Sequence, residues 1–145
     1  MRFILLFLSL TVLLGCKNKT KPNADQLIEI DQQFSNATAE IGFNKAFIEF
    51  AHPNAVLLRE NSMPIVGKTN IEKLFEKADT TGIDFSWEPL AGDIAASRDL
   101  GYTYGIYTIR TDTLVEKGTY VSIWKKDESG NWKYILDTGN EGLGN

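Results

Sequence analysis

At Ile83 the spacing of apolar residues changes from three and four to two, and that switch sorts the chain into helices first and strands afterwards. Downstream of it, Ile83, Phe85 and Trp87 alternate with Asp84, Ser86 and Glu88, the pattern of a strand with one buried face. Pro89 has no N–H for a ladder, so it marks an edge, a bulge or a break. Arg98-Asp99-Leu100-Gly101 turns the chain into "GYTYGIYTI", and "VEKGTYVSIWKK" and "NWKYILDTG" follow, joined by Asp127-Glu128-Ser129-Gly130, a composition suited to a hairpin turn. Such short links predict antiparallel neighbours.

Upstream, Asn23 and Gln26 form a capping-box pattern, after which Leu27, Ile30, Phe34, Ala37 and Ile41 mark one face of an amphipathic helix. Gly42 interrupts it. "FNKAFIEF" continues as a second short helix that buries Phe43, Ala46, Phe47 and Phe50 and ends at His52-Pro53. "AVLLRENS" reads as a strand, and "TNIEKLFEKA" as a third helix with Thr69 as N-cap and Glu72 as its box partner.

This order predicts an α+β fold: N-terminal helices packed on a strongly curved antiparallel sheet, forming a cone with an internal pocket. Curvature is expected at "GYTYGIYTI", where Gly101, Thr103 and Gly105 share one face and Tyr102, Tyr104 and Ile106 the other. A strand without bulk on one side can curl, and the space left over becomes a pocket walled by aromatics.

"MRFILLFLSLTVLLGC" has one basic residue, Arg2, and an apolar run too short to span a bilayer, followed by Gly15 and Cys16. Leu13-Leu14-Gly15-Cys16 resembles a bacterial lipobox. The alternative is an ordinary signal peptide cut elsewhere, leaving Cys16 as a free thiol. The expected organisation is a lipoprotein signal peptide over residues 1–15, a polar tether over 16–24 and one folded domain over 25–145. Lipidation of Cys16 would hold an exported domain on a membrane, facing the periplasm. Removing the leader leaves 130 residues, enough for one core. The formal charge of −4 does nothing to recommend a phosphate backbone as partner, so no nucleic-acid partner is expected.

The segments "AVLLRENSMPIVGKTNIEKLF", "FSWEP", "DLGYTYG", "GTYVSIWKK" and "GNWKYILDTGN", behind a split N-terminal helix, resemble the nuclear-transport-factor-2-like superfamily, specifically its branch called domain of unknown function 4440. The likeness runs from Asp25 to Asn140. It implies a cone-shaped fold shared by ketosteroid isomerase, by polyketide cyclases and dehydratases, and by members that only bind or scaffold. No catalytic motif carries over from those enzymes residue by residue.

Other motifs carry less. "VGKT" lacks the glycine that a phosphate-binding P-loop needs five positions before Gly67, where Ser62 stands. The sequon at Asn36 falls inside a helix. One histidine and one cysteine build no zinc site, so neither a metal nor a cofactor is expected.

The candidate ligand-binding residues are Arg59, Trp87, Tyr104, Tyr107, Tyr120, Trp124 and Asp137, with Asp137, His52 and Tyr104 as catalytic candidates. The aromatics, Tyr134 included, serve equally well as core. Trp87, Tyr104, Trp124 and Asp137 are expected to line the pocket, with Arg59 near its mouth; a register slip would replace Tyr104 and Trp124 by Tyr107 and Tyr120. His52 could be a base or a helix-ending surface residue. Arg59 could hold an anion or pair with neighbouring carboxylates. Alternation sets Asp137 with Lys133 and Ile135, opposite Trp132, Tyr134 and Leu136. On a concave face it would be a desolvated carboxylate, and otherwise turn chemistry at a strand end. Two functions follow: a membrane-anchored protein binding a small apolar or partly polar molecule, or an isomerase, cyclase or dehydratase using an Asp or His base and a Tyr hydroxyl. A homodimer through the sheet is also expected.

Overall fold

The computed structural model describes residues 23–143. The leader, Cys16 and the tether up to residue 22 lie outside the described residues.

Helix α1 (Asp25–Ile41) stops at Gly42, whose φ of 90° only glycine adopts freely, and α2 (Phe43–Phe50) restarts at once. The N-cap of α1 is Ala24, not Asn23; Asn23 instead accepts the Asp25 N–H at 3.0 Å, so no capping box forms. α1 buries Leu27, Asp31, Phe34, Ser35 and Thr38, while Ile41 is exposed. The buried stripe thus takes in three polar residues, Asp31, Ser35 and Thr38, that apolar periodicity does not mark.

Strand β1 (Ala51–Leu58) follows α2 directly and takes in His52 and Pro53, which end the helix but begin the strand. A short β2 (Ile65–Val66) pairs with β1, and α3 (Lys68–Glu76) starts after Gly67, so Thr69 is inside the helix. Then come β3 (Asp84–Ile94), β4 (Leu100–Arg110), β5 (Val115–Lys126) and β6 (Trp132–Glu141).

The six strands lie in the order β2-β1-β6-β5-β4-β3, a curled and unclosed sheet under three helices. The expected antiparallel meander holds for β3 to β6. The sheet as a whole is mixed, because β1 pairs parallel with β6. Some seventy residues separate the two strands, long enough for the crossover that a parallel pair needs.

Phe34 is the hub of the core. Its ring lies 4.7 Å from Trp87, 4.8 Å from Phe47 and 5.7 Å from Tyr134. The C-terminal carbonyls of α2 are satisfied by the sheet: Tyr134 Oη donates to Phe47 O at 2.8 Å and Lys133 Nζ to Glu49 O at 2.9 Å. α1 reaches the outer edge of β3, where Ser35 Oγ donates to Trp87 O at 2.8 Å and accepts from Trp87 N at 2.9 Å. Thr38 Oγ1 donates to Phe85 O at 2.7 Å.

Candidate functional site

A cavity of about 800 Å³ opens between α2 and the concave face of the sheet. Phe85 and Trp87 of β3, Tyr107 of β4 and Tyr120 of β5 wall it, Asp137 of β6 sits within it, and Arg59 and Glu60 border it just beyond β1.

Two reciprocal pairs make room for it. Gly105 stands opposite Tyr120 across β4 and β5, and Tyr107 stands opposite Gly118. A Cβ at Gly105 would lie 2.8 Å from the Tyr120 ring, and one at Gly118 2.5 Å from that of Tyr107. Each tyrosine lies flat across the glycine of the neighbouring strand. Two positions without side chains therefore let two aromatic rings tile the sheet without filling the space above it.

Behind the aromatic wall is Asp31, which is fully buried. Trp87 Nε1 donates to its Oδ1 at 2.8 Å and Tyr120 Oη to its Oδ2 at 2.7 Å. Thr103, which accepts from Trp124 Nε1 at 2.7 Å, also bonds its carboxylate. Burial raises the Asp31 pKa, and these three donors pull it back. Burial and the nearby Asp31 charge hold the Tyr120 hydroxyl far above the usual phenol range.

Asp137 is placed by a bulge. Trp124 pairs with Tyr134 and Ile123 with Leu136, so Ile135 is the extra residue. It reverses the alternation and turns Asp137 to the concave side with Trp132 and Tyr134, not with Lys133 and Ile135 as strict alternation predicts. Ser122 Oγ donates to Asp137 Oδ2 at 2.7 Å, and Oδ1 has no partner among the described residues. Burial pushes this carboxyl up to about 6, with Ser122 and the Arg59 charge opposing the shift.

No protein-family model matches the sequence, and no curated relative matches it. Solved structures do match the fold. A ketosteroid isomerase-like protein from Erwinia carotovora atroseptica is 13% identical with a TM-score of 0.66, over 84% of this chain and 98% of that one. An NTF2-like protein with a cystatin-like fold from Novosphingobium aromaticivorans is 11% identical with a TM-score of 0.66, over 83% and 82%. The chain has the NTF2-like fold. An LEH-like epoxide hydrolase from M. tuberculosis is similar at 12% identity and a TM-score of 0.58, over 82% of this chain and 80% of that one. At these identities the likeness concerns architecture, and chemistry rests on the site.

Within the NTF2-like cone the structure brings together Trp87, Tyr107, Tyr120 and Asp137, with Arg59 at the edge. The Arg59 guanidinium lies 5.5 Å over the Phe47 ring. Tyr104 is not among them. It projects from the outer face, 46% exposed, because Thr103, Gly105 and Tyr107 take the inward positions of β4. Trp124 shares the inward face of β5 with Tyr120 but lies four residues along, about 13 Å, at the closed end, where it is fully buried 6.1 Å from Phe34. It is core. His52 lies at the start of β1, accepts the Asn54 N–H on Nδ1 and does not border the cavity.

Asp31 and Ser122 escaped the sequence reading. Asp31 had one signal: it stands four residues after Leu27 and three before Phe34, inside the apolar stripe of α1. Among the described residues no three His, Cys, Asp or Glu side chains cluster as a metal site, and no helix is long and apolar enough to cross a membrane.

Proposed function

We propose that the chain binds a small, partly apolar molecule in the cone, as a lipid-anchored exported protein. The observation that carries this is the juxtaposition of an open aromatic cavity with one inward carboxylate, Asp137, whose second oxygen is unpaired. The apolar walls supply burial and the carboxylate supplies orientation. The leader ending at Cys16 and the lysine-bearing tether after it support anchoring at a bacterial membrane facing the periplasm. The resemblance to domain of unknown function 4440 fits a binding role without a fixed catalytic set. Denaturing the purified protein and identifying released small molecules by mass spectrometry tests the reading; an empty cavity in wild type, with the same result for Asp137→Asn, would sink it.

A specific observation favours a second reading, an isomerase, cyclase or dehydratase. Asp137 titrates at about 6, near the optimum for a general base, and the Tyr107 hydroxyl has no hydrogen-bond partner among the described residues, so it can donate to a carbonyl. The likeness in fold to a ketosteroid isomerase-like protein and to an epoxide hydrolase supports it at the level of architecture. Turnover of a co-purifying molecule, lost in Asp137→Asn with binding retained, would select this reading.

A homodimer through the sheet is part of the proposal. On its outer face Tyr102 and Tyr104 of β4 stand beside Ile123 and Val121 of β5, an apolar strip with both tyrosines exposed.

A further inference from the structure

The inner wall of the cavity offers lone pairs and almost no hydrogens. A hydroxyl has one hydrogen to give, and Tyr120 gives its own to Asp31 while Ser122, beneath the wall, gives its own to Asp137. The indole N–H of Trp87 is also spent on Asp31. Thr138 and Asn140 border the cavity, but they pair with the outward Val121 and Thr119, so their donors belong to the other side of the sheet. What remains inside is the free Oδ1 of Asp137, with no cation at ion-pair distance among the described residues, in a cavity whose wall also includes the aromatic rings of Phe85, Trp87 and Tyr107. Aromatic rings carry the negative part of their quadrupole on their faces, so such a wall suits a cation better than an anion.

We infer that the ligand is an organic cation: a protonated primary or secondary amine on an apolar body, its N–H groups directed at Asp137 and its body against Trp87, Phe85 and Tyr107. This names the ligand class for the binding reading above and depends on it. A carboxylate or phosphate at the inner wall would meet the Asp137 carboxylate and two hydroxyls whose hydrogens are committed. The cation that could receive it, Arg59, stands at the exposed lip over Phe47. A ketone would need a donor, and the wall supplies one only at Tyr107. An alcohol offers that carboxylate a single hydrogen and no charge, whereas an ammonium offers two or three hydrogens and neutralises it. The outer rim points the same way, since the Glu60 charge lies close enough to Glu141 to raise its pKa, and the two carboxylates favour an approaching cation.

Three probes with one aromatic body and different heads decide it: phenethylamine, 2-phenylethanol and phenylacetate, each titrated into the purified protein by calorimetry and ligand-observed NMR. Phenethylamine is expected to bind about tenfold more tightly than 2-phenylethanol, with phenylacetate weakest. Asp137→Asn should bring the amine down to the level of the alcohol while leaving the alcohol unchanged, which doubles as the check that the pocket is intact. Ser122→Ala keeps the carboxylate and should keep the amine preference, so it serves if Asp137→Asn does not fold. Equal affinity for all three, or preference for phenylacetate, overturns the inference and leaves the binding reading standing. Absence of amine binding also overturns it, and the mass spectrum of the purified wild type then shows whether the binding reading falls as well.

Discussion

Asp31 and Tyr120, 89 residues apart in the chain, are joined by a 2.7 Å hydrogen bond that ties the first helix to the aromatic wall of the cavity. Removing the donor strands one oxygen of a buried carboxylate. Tyr120→Phe, whose ring still fits over Gly105, should therefore destabilise the protein by about 1–3 kcal/mol. Urea unfolding with an unchanged slope is the measurement; a midpoint equal to wild type would show that the bond contributes nothing.

Asp137 should make stability fall as pH rises. Its carboxyl titrates at about 6 in the folded protein against 3.8 ordinarily, so between these values the native state holds more protons than the unfolded state. Stability from this group is full below pH 4 and is lost as pH climbs through 6. The groups acting on it are Arg59, Ser122 and Asp31, with Tyr120 and Tyr134 close enough for its charge to raise theirs. Since Asp31 shifts in the same direction and several exposed aspartates in the other, the readout is the difference between wild type and Asp137→Asn across the range. The variant should be the more stable of the two at pH 7 and equal to wild type at pH 4; the reverse order would refute the assignment.

Gly118→Ala should be costly. Its Cβ would press on the Tyr107 ring and on the backbone oxygen of Asn140, which cannot move without breaking the β5–β6 ladder. A loss of about 1–3 kcal/mol, with Tyr107 pushed into the cavity, should appear as a lower urea midpoint and weaker retention of any co-purified molecule. Gly130→Ala, which meets no atom within 4 Å, tests the other cost, that of a φ of 83°.

Much of this architecture was legible in the residues, and the failures are instructive. The α+β order, the break at Gly42 and the strands from Asp84 onward follow from hydrophobic period and glycine placement. The parallel β1–β6 pair does not, because it joins segments with no local signal between them. Asp137 was found for an insufficient reason: strict alternation put it with Ile135, and only the bulge at Ile135 explains its inward position. Tyr104 was misplaced although the same alternation, counted from Thr103 to Tyr107, separates it from the pocket-facing residues. Asp31 was invisible because a carboxylate in an apolar stripe looks like an interruption until its partners at Trp87 and Tyr120 come from the far end of the chain.

Cys16→Ser should release the protein from the membrane fraction. Each buried CH₂ of an acyl chain contributes about 0.8 kcal/mol, so a multiply acylated Cys16 holds effectively permanently and an unmodified serine does not. Fractionation of expressing cells, with mass analysis of the N-terminal peptide, is the test. Variant protein still in the membrane pellet after a salt wash would count against lipidation.

Light scattering of the detergent-purified protein should give a dimer. Tyr104→Glu, on the outer strip and away from the cavity, should shift the mass to a monomer without affecting ligand retention. A monomer for wild type at high concentration would dispose of the dimer.

The hydroxyls of Ser35 and Thr38 also decide where other chains cannot go. Edge strands are where foreign strands dock and where fibrils nucleate. In the first half of β3 three outward-pointing groups are already taken: Trp87 has both its N–H and its carbonyl bonded to Ser35 and the Phe85 carbonyl accepts from Thr38, while Pro89, two residues on, has no N–H to extend. A helix has been laid along this stretch of the border as a selvedge, so a foreign strand finds its ladder positions there occupied. The proposed dimer through the broad outer surface needs no strand pairing at this edge.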